Sequence, residues 1–168
     1  MRINAVQNNF NYTTKQNFGN FSSNIPVYKL NTLSYENLEY LSKIKKLLKN
    51  FKGFNFSIKP VEGDELELSL GNHLGKTSFY ENDTVNNIFK NLKGQRYGTY
   101  DDGYFMPLSI PYKDFINKMK QIKATSHSPF EVAYKIAKLG VRNVKAAESK
   151  KIKRQNLIND LLENHKSE

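Results

Sequence analysis

The sequence predicts an α+β fold: an antiparallel sheet of about four or five short strands packed by helices, with a helical C-terminal half. Two patterns lead to this prediction. In the middle of the chain, short runs place apolar residues at every second position, which is typical of strands with one buried face. Around and after these runs, apolar residues recur three and four positions apart, which indicates amphipathic helices. Because short turns join neighbouring strands, antiparallel hairpins are the simplest pairing.

The 168 residues correspond to one domain with terminal extensions. Residues 1–26 are rich in Asn, Gln, Thr and Ser and show neither period, so we predict a flexible tail there. Residues 27–142 contain the periodic runs and are predicted to form the α+β globular domain. Residues 143–168 are predicted to form a basic C-terminal helix, which has few apolar residues before Leu157.

The first helix is predicted over residues 34–51. Its apolar side chains are three or four positions apart: Leu38, Leu41, Ile44, Leu48 and Phe51. Ser34 is a suitable N-cap because its hydroxyl can accept a hydrogen bond from a backbone N–H of the first turn. Gly53 is expected to end the helix.

A hairpin is predicted next, with strands over residues 54–59 and 65–70. Apolar side chains alternate with polar ones in both strands: Phe54, Phe56 and Ile58, then Leu66, Leu68 and Leu70. The connector, residues 60–64, contains Pro and Gly and is a good turn. Lys59 is expected to face the glutamates of the second strand. Residues 76–80 are predicted to add a third strand.

The second half of the chain is predicted to begin with a helix from Asp83 to about Leu92. A second hairpin follows, with residues 96–100 and 104–108 flanking a turn at residues 101–103. Pro111 is predicted to begin a third helix, with its apolar side formed by Phe115, Ile116, Met119 and Ile122.

Residues 128–131 carry a strong helix-start signal. They combine Ser at the N-cap, Pro at the first helical position and Glu131 two residues later, which is typical of a capping box. Residues 132–141 are apolar on most sides, so we expect the most buried helix there.

The chain is strongly basic, with a formal net charge of +10 from 26 basic and 16 acidic residues. This excess favours an acidic protein or a nucleic acid as partner. Lysine outnumbers arginine by 22 to four, however, whereas specific phosphate and base recognition favours arginine. Because Lys and Asn have AT-rich codons, genome composition is an alternative origin of the excess.

Several classes of protein are excluded by what the sequence lacks. The absence of cysteine excludes disulfides, thiolate nucleophiles and Cys-ligated zinc. No apolar run approaches ~18 residues, so we expect no membrane span and no membrane partner. The first residues lack the apolar core of a secretory signal peptide. We therefore expect a cytoplasmic location.

Four residues are candidates for catalysis, and each has a simpler structural interpretation. Asp101 and Asp102 lie at the tip of the second predicted hairpin, where paired carboxylates suit metal chemistry but Asp-Gly also suits a turn. His73 lies in a turn with three residues between its glycines, whereas a P-loop needs four. His127 precedes Ser128, which is better used as a helix cap. No two histidines have the spacing of a helical metal pair, so we expect no metal and no cofactor.

Two groups of cations are candidates for binding. One shares a side of the first predicted helix: Lys45, Lys49 and Lys52. The other lies in the C-terminal part, where a helix without a buried face needs another reason to be ordered: Arg142, Lys145, Lys150, Lys151, Lys153 and Arg154. Dimerisation is a further reason, through Ile158, Leu161 and Leu162. For both groups of cations, a solvated helical face is the simpler interpretation.

The sequence therefore predicts a non-catalytic binding or accessory protein whose basic helical faces dock on an acidic protein or a nucleic-acid backbone. Two alternatives stay open. One is a small enzyme with a polar site around the hairpin 95–105 and the turn 71–76. The other is a phage or mobile-element product that inhibits a larger machine.

Overall fold

The computed structural model describes residues 16–18, 21–63, 65–72, 75–82, 104–105 and 110–164. The helix predicted at 83–92, the strand predicted at 96–100 and three of the catalytic candidates lie outside the described residues, namely His73, Asp101 and Asp102.

The α+β class is confirmed, because a five-stranded sheet is packed by helices. Its strands are adjacent in chain order: β1 (Gln16–Phe18), β2 (Phe21–Ser23), β3 (Asn55–Pro60), β4 (Leu66–Asn72) and β5 (Gly75–Tyr80). A separate two-stranded pair joins β6 (Tyr104–Phe105) to β7 (Ile110–Pro111) in antiparallel fashion.

The sheet is mixed, so the prediction of a purely antiparallel sheet is wrong at one pairing. Strand β2 runs parallel to β3, with Phe21 opposite Phe56, whereas the other pairings of this sheet are antiparallel. The physical reason is the connection between β2 and β3, which consists of two helices instead of a short turn. Such a crossover returns the chain to the starting end of the sheet, so that both strands point the same way.

Part of the predicted flexible tail belongs to the core. Phe21 and Ile25 are each only 3% exposed, and the Phe21 ring stacks on Phe56 with 6.4 Å between ring centroids. The tail predicted over residues 1–26 therefore does not include residues 21–26. The polar composition of the N-terminus concealed these two apolar anchors.

The predicted hairpin of β3 and β4 forms, and Lys59 faces a glutamate of the second strand as expected. Lys59 is opposite Glu67, and their side chains form an ion pair with an N–O distance of 3.6 Å. Strand β5 extends the sheet, and the hydroxyls of Ser69 and Ser78 share a hydrogen bond of 2.6 Å across β4 and β5. The predicted third strand is thus confirmed.

Two helices connect β2 to β3: α1 (Val27–Thr32) and α2 (Tyr35–Leu48). Helix α2 begins as predicted, because the Ser34 hydroxyl accepts a hydrogen bond from the backbone N–H of Asn37. Its apolar side buries Ile44 and Leu48 against the sheet and the C-terminal helix.

The C-terminal half contains α3 (Tyr112–Ala124) and α4 (Pro129–Asn164). Helix α3 begins just after Pro111, as predicted, and buries Phe115 and Met119. Helix α4 is continuous over 36 residues and passes through the predicted boundary at 142–143 without a break. Gly140 and Asn143 are residue types that often end helices, but no proline follows them and the helix includes both, with the Asn143 amide donating a hydrogen bond to the Leu139 carbonyl.

Candidate functional site

Helix α4 leaves the body of the protein about halfway along its length. Val144 is its last buried residue, and every residue from 145 to 163 is exposed. At 1.5 Å per residue, these 19 residues extend about 28 Å. We call residues 145–163 the projecting segment. Because its side chains are exposed, its surface is accessible to a partner.

Six exposed cations occupy the start of the projecting segment and the turn before it. None forms an ion pair with the described residues: Arg142, Lys145, Lys150, Lys151, Lys153 and Arg154. They surround the helix, since Lys151 follows Arg142 by nine residues, or about two and a half turns. The predicted second group of binding residues therefore lies on several sides of a single free helix.

A groove runs between α3 and the part of α4 where the projecting segment begins. Its volume is about 690 Å³, and its apolar floor includes Ala146 and Ala147. Three cations line it: Lys118 from α3, and Arg142 and Lys150 from α4. Asp114 is the one described carboxylate in the lining, so the groove carries an excess of positive charge.

Lys118 is a lining residue that the sequence did not single out. It lies on α3 between buried Phe115 and Met119, in a stretch where a lysine has the appearance of ordinary helix surface. The helical period places Lys118 beside Asn117 and Gln121 on the polar side of α3, but only the packing of α3 against α4 brings it to Arg142. No local sequence pattern predicts that Lys118 and Arg142 line the same groove.

The first predicted group of binding residues is not part of this groove. Lys45, Lys49 and Lys52 are exposed and lie on or just after α2. Lys52 comes nearest to the projecting segment in the chain path, since the next residue, Gly53, lies against Val144. The structure therefore places Lys52 near the start of the projecting segment, whereas Lys45 and Lys49 lie on or just after α2.

Large apolar side chains are exposed near the end of the projecting segment. Their exposed fractions are 64% for Leu157, 39% for Ile158, 63% for Leu161 and 56% for Leu162. The spacing of these four residues places them on one side of the helix. Ile152 is 61% exposed but lies elsewhere on the circumference. A single exposed leucine is ordinary, whereas four adjacent large apolar side chains form an apolar patch.

His127 lies at the start of α4 and its side chain is exposed. Its backbone N–H donates a hydrogen bond of 2.8 Å to the Glu131 carboxylate, and the Ser128 hydroxyl accepts one of 3.2 Å from the Glu131 backbone N–H. The predicted Ser128 cap is thus formed, whereas the Glu131 carboxylate reaches the N–H one residue before the N-cap and not that of Ser128 as in a standard capping box. These contacts assign Ser128 to helix capping, and they bring the Glu131 carboxylate close to His127 as part of the same cap.

The Glu131 carboxylate is held by two polar contacts, one to the His127 backbone N–H and one to Lys135. Lys135 lies 2.8 Å from it, and together with the His127 N–H it holds the pKa of Glu131 below its ordinary range. We predict that Glu131→Gln destabilises the protein by about 1 kcal/mol at neutral pH. Because the pKa of Glu131 is lower in the folded protein than in the unfolded chain, its charge stabilises the fold at pH values above the unfolded-state pKa. This stabilisation is lost as the pH falls through the folded-state pKa.

Urea unfolding of the wild type and Glu131→Gln at a series of pH values tests this prediction. The difference in unfolding free energy should be largest at neutral pH and shrink below about pH 4.3, the ordinary glutamate pKa. A constant difference across that range would show that the Glu131 charge contributes nothing to the cap.

In contrast to Glu131, the carboxyl of Glu81, just after β5, has a pKa that burial raises above its ordinary value. Glu65 adds to this effect, whereas Lys123 of α3 opposes it. This arrangement is a partly buried carboxyl with a nearby cation.

No known family model, curated protein or solved structure matches this chain. None of the helices described here combines the length and the apolar content needed to cross a bilayer. Within the described ranges, no group of three or more His, Asp or Glu residues is arranged to hold a metal ion.

Proposed function

We propose that this chain is a non-catalytic binding protein that docks on a polyanionic macromolecule, an acidic protein or a nucleic-acid backbone. The observation that carries the proposal is the position of six exposed cations on and just before the projecting segment, none of which forms an ion pair with a carboxylate in the described part of the chain. A solvated helix needs no such concentration of one charge, because like charges in adjacent turns repel each other and weaken the helix.

The groove between α3 and α4 gives this docking surface its most defined part. Lys118, Arg142 and Lys150 all line it. Arg142 and Lys150 are eight residues apart on α4, or about 12 Å along the helix axis. A row of carboxylates or phosphates lying along the groove would therefore meet cations at two points about 12 Å apart.

Electrostatic docking of this kind predicts a steep dependence on salt. Because binding releases counterions from the polyanion, affinity for double-stranded DNA should fall by more than about tenfold between ~50 and ~200 mM salt. Binding to poly-glutamate should weaken in the same direction, since salt screens exposed charges. Fluorescence anisotropy with both labelled polymers measures this. A salt-independent affinity for either polymer would contradict the mechanism.

A triple variant tests whether the proposed surface is responsible. Arg142→Gln, Lys150→Gln and Lys153→Gln together should reduce the slope of log affinity against log salt on DNA by up to about three. The matched control removes three exposed lysines elsewhere: Lys46→Gln, Lys59→Gln and Lys120→Gln. Equal losses in the two triple variants would mean that net charge alone, and not this surface, sets the binding.

A further inference from the structure

The side of α4 that packs on the body continues along the projecting segment. Within the body this side buries Ala133, Ala137 and Val144. Beyond Val144, intervals of three and four residues extend it through five exposed positions: Ala147, Lys151, Arg154, Ile158 and Leu161. We call these five residues, with Leu157 and Leu162 beside them, the free face of α4. No described residue covers it.

The free face changes in chemistry along its length. Its first half presents the cations Lys151 and Arg154, and its second half presents four apolar side chains. The carboxylate Asp160 lies near the opposite side of the helix, since it follows Lys151 by nine residues, or about two and a half turns. A partner that covers the whole face must therefore supply both negative charge and apolar surface.

A second copy of this chain does not satisfy these requirements. In a parallel pair, Lys151 and Arg154 would meet their own copies, and like charges at inner positions of a helix pair are unfavourable. An antiparallel pair of the tips would cover only the four apolar side chains, which offer roughly 100 Å² each. The total is about half of the ~800 Å² per partner in a stable complex.

A nucleic-acid backbone satisfies only half of the requirements. Its phosphates can neutralise Lys151 and Arg154, but they leave four adjacent apolar side chains in water. A protein helix with carboxylates and leucine-like side chains on one face can cover both halves. Residues at four- and three-residue intervals also form the pattern by which one helix packs its side chains between those of another.

We infer that the free face of α4 binds an acidic amphipathic helix of another protein. Apolar side chains of the partner cover Leu157, Ile158 and Leu161, and its carboxylates lie beside Lys151 and Arg154. This inference rests on the proposed function and specifies the partner, because it selects an acidic protein over a nucleic acid. It adds an apolar contact that salt does not screen, so binding retains affinity where purely electrostatic docking is lost.

The test compares two synthetic helical peptides of equal length and equal Glu content. One carries Leu at the inner heptad positions, and the other carries Gln there. The full chain should bind the Leu peptide at least about tenfold more tightly at moderate salt. Leu161→Gln should weaken binding of the Leu peptide at least about fivefold and leave the Gln peptide unaffected.

Ile152→Gln is the matched control for Leu161→Gln. The two side chains are 61% and 63% exposed, and nine residues separate them, which places them near opposite sides of the helix. Ile152→Gln should leave both affinities unchanged. Equal affinity for the two peptides, or an equal loss in the control, would overturn the inference, and so would a dimer in sedimentation equilibrium that Leu161→Gln dissociates.

The two proposals fail in different ways. If the triple variant of Arg142, Lys150 and Lys153 weakens binding to polyanions but Leu161→Gln has no effect on the Leu peptide, only the inference about the free face fails. If the triple variant and its control behave alike, the proposed function fails, whatever the effect of Leu161→Gln on binding of the Leu peptide.

Discussion

Phe21→Ala should lower the free energy of unfolding by about 3–5 kcal/mol, the usual cost of removing a buried phenylalanine ring. Phe21 is 3% exposed, pairs in register with Phe56 across β2 and β3, and stacks on its ring. The substitution leaves a cavity beside a strand that only three residues attach to the sheet. Urea unfolding followed by circular dichroism measures the change.

Tyr28→Ala is the matched control for this prediction. Tyr28 is also an aromatic residue near the N-terminus, but it is 66% exposed on α1. Its removal should change stability by less than about 0.5 kcal/mol. If Phe21→Ala has an effect as small as that of Tyr28→Ala, residues 21–26 belong to a flexible tail after all, and the parallel pairing of β2 with β3 does not stabilise the protein.

The elements that sequence predicted well are those whose signals are local. The start of α2 at Ser34, the pairing of Lys59 with a glutamate of β4 and the helix cap at Ser128 each depend on residues close together in the chain. Their hydrogen bonds and side-chain pairs form within a turn or across one hairpin. Local chemistry therefore fixes them before the tertiary structure is considered.

The parallel pairing of β2 with β3 depends on distant parts of the chain, and sequence could not predict it. Phe21 is one apolar residue in a polar stretch, and its partner Phe56 is 35 residues away. A strand of three residues has no measurable period. Only the core formed by the sheet and the helices makes burial of Phe21 favourable, so composition alone gave the wrong interpretation.

In the candidate site too, the features with local sequence signals were predictable and those that depend on tertiary packing were not. The cations of α4 were visible as a dense run of charge in the sequence, and the helix that carries them was expected. Lys118 joined them only through the packing of α3 on α4. The length over which α4 is free of the body also required the structure, because the position of Val144 as the last buried residue is a tertiary property.

Gly53→Ala should destabilise the protein by about 1–3 kcal/mol, the usual cost of overfilling a packed site. A Cβ atom at Gly53 would lie 2.5 Å from Cζ of Phe51 and 2.6 Å from Cγ1 of Val144. Val144 is β-branched and lies within a helix, so its side chain has little freedom to turn away. The Phe51 ring also contacts Phe54 edge-on, with 5.0 Å between ring centroids, and this contact limits its movement.

Val144→Ala in the Gly53→Ala background separates this close contact from other effects of the glycine. It removes the methyl group that the new Cβ would meet, so the double variant should be less destabilised than the two single variants added together. Strict additivity would mean that the cost arises at Phe51 instead. Because Val144 is the last buried residue of α4, this contact lies where the projecting segment begins. Gly53→Ala should therefore also speed amide hydrogen exchange on the turn of α4 around Val144, whereas the exposed turns beyond residue 150 should exchange as in the wild type.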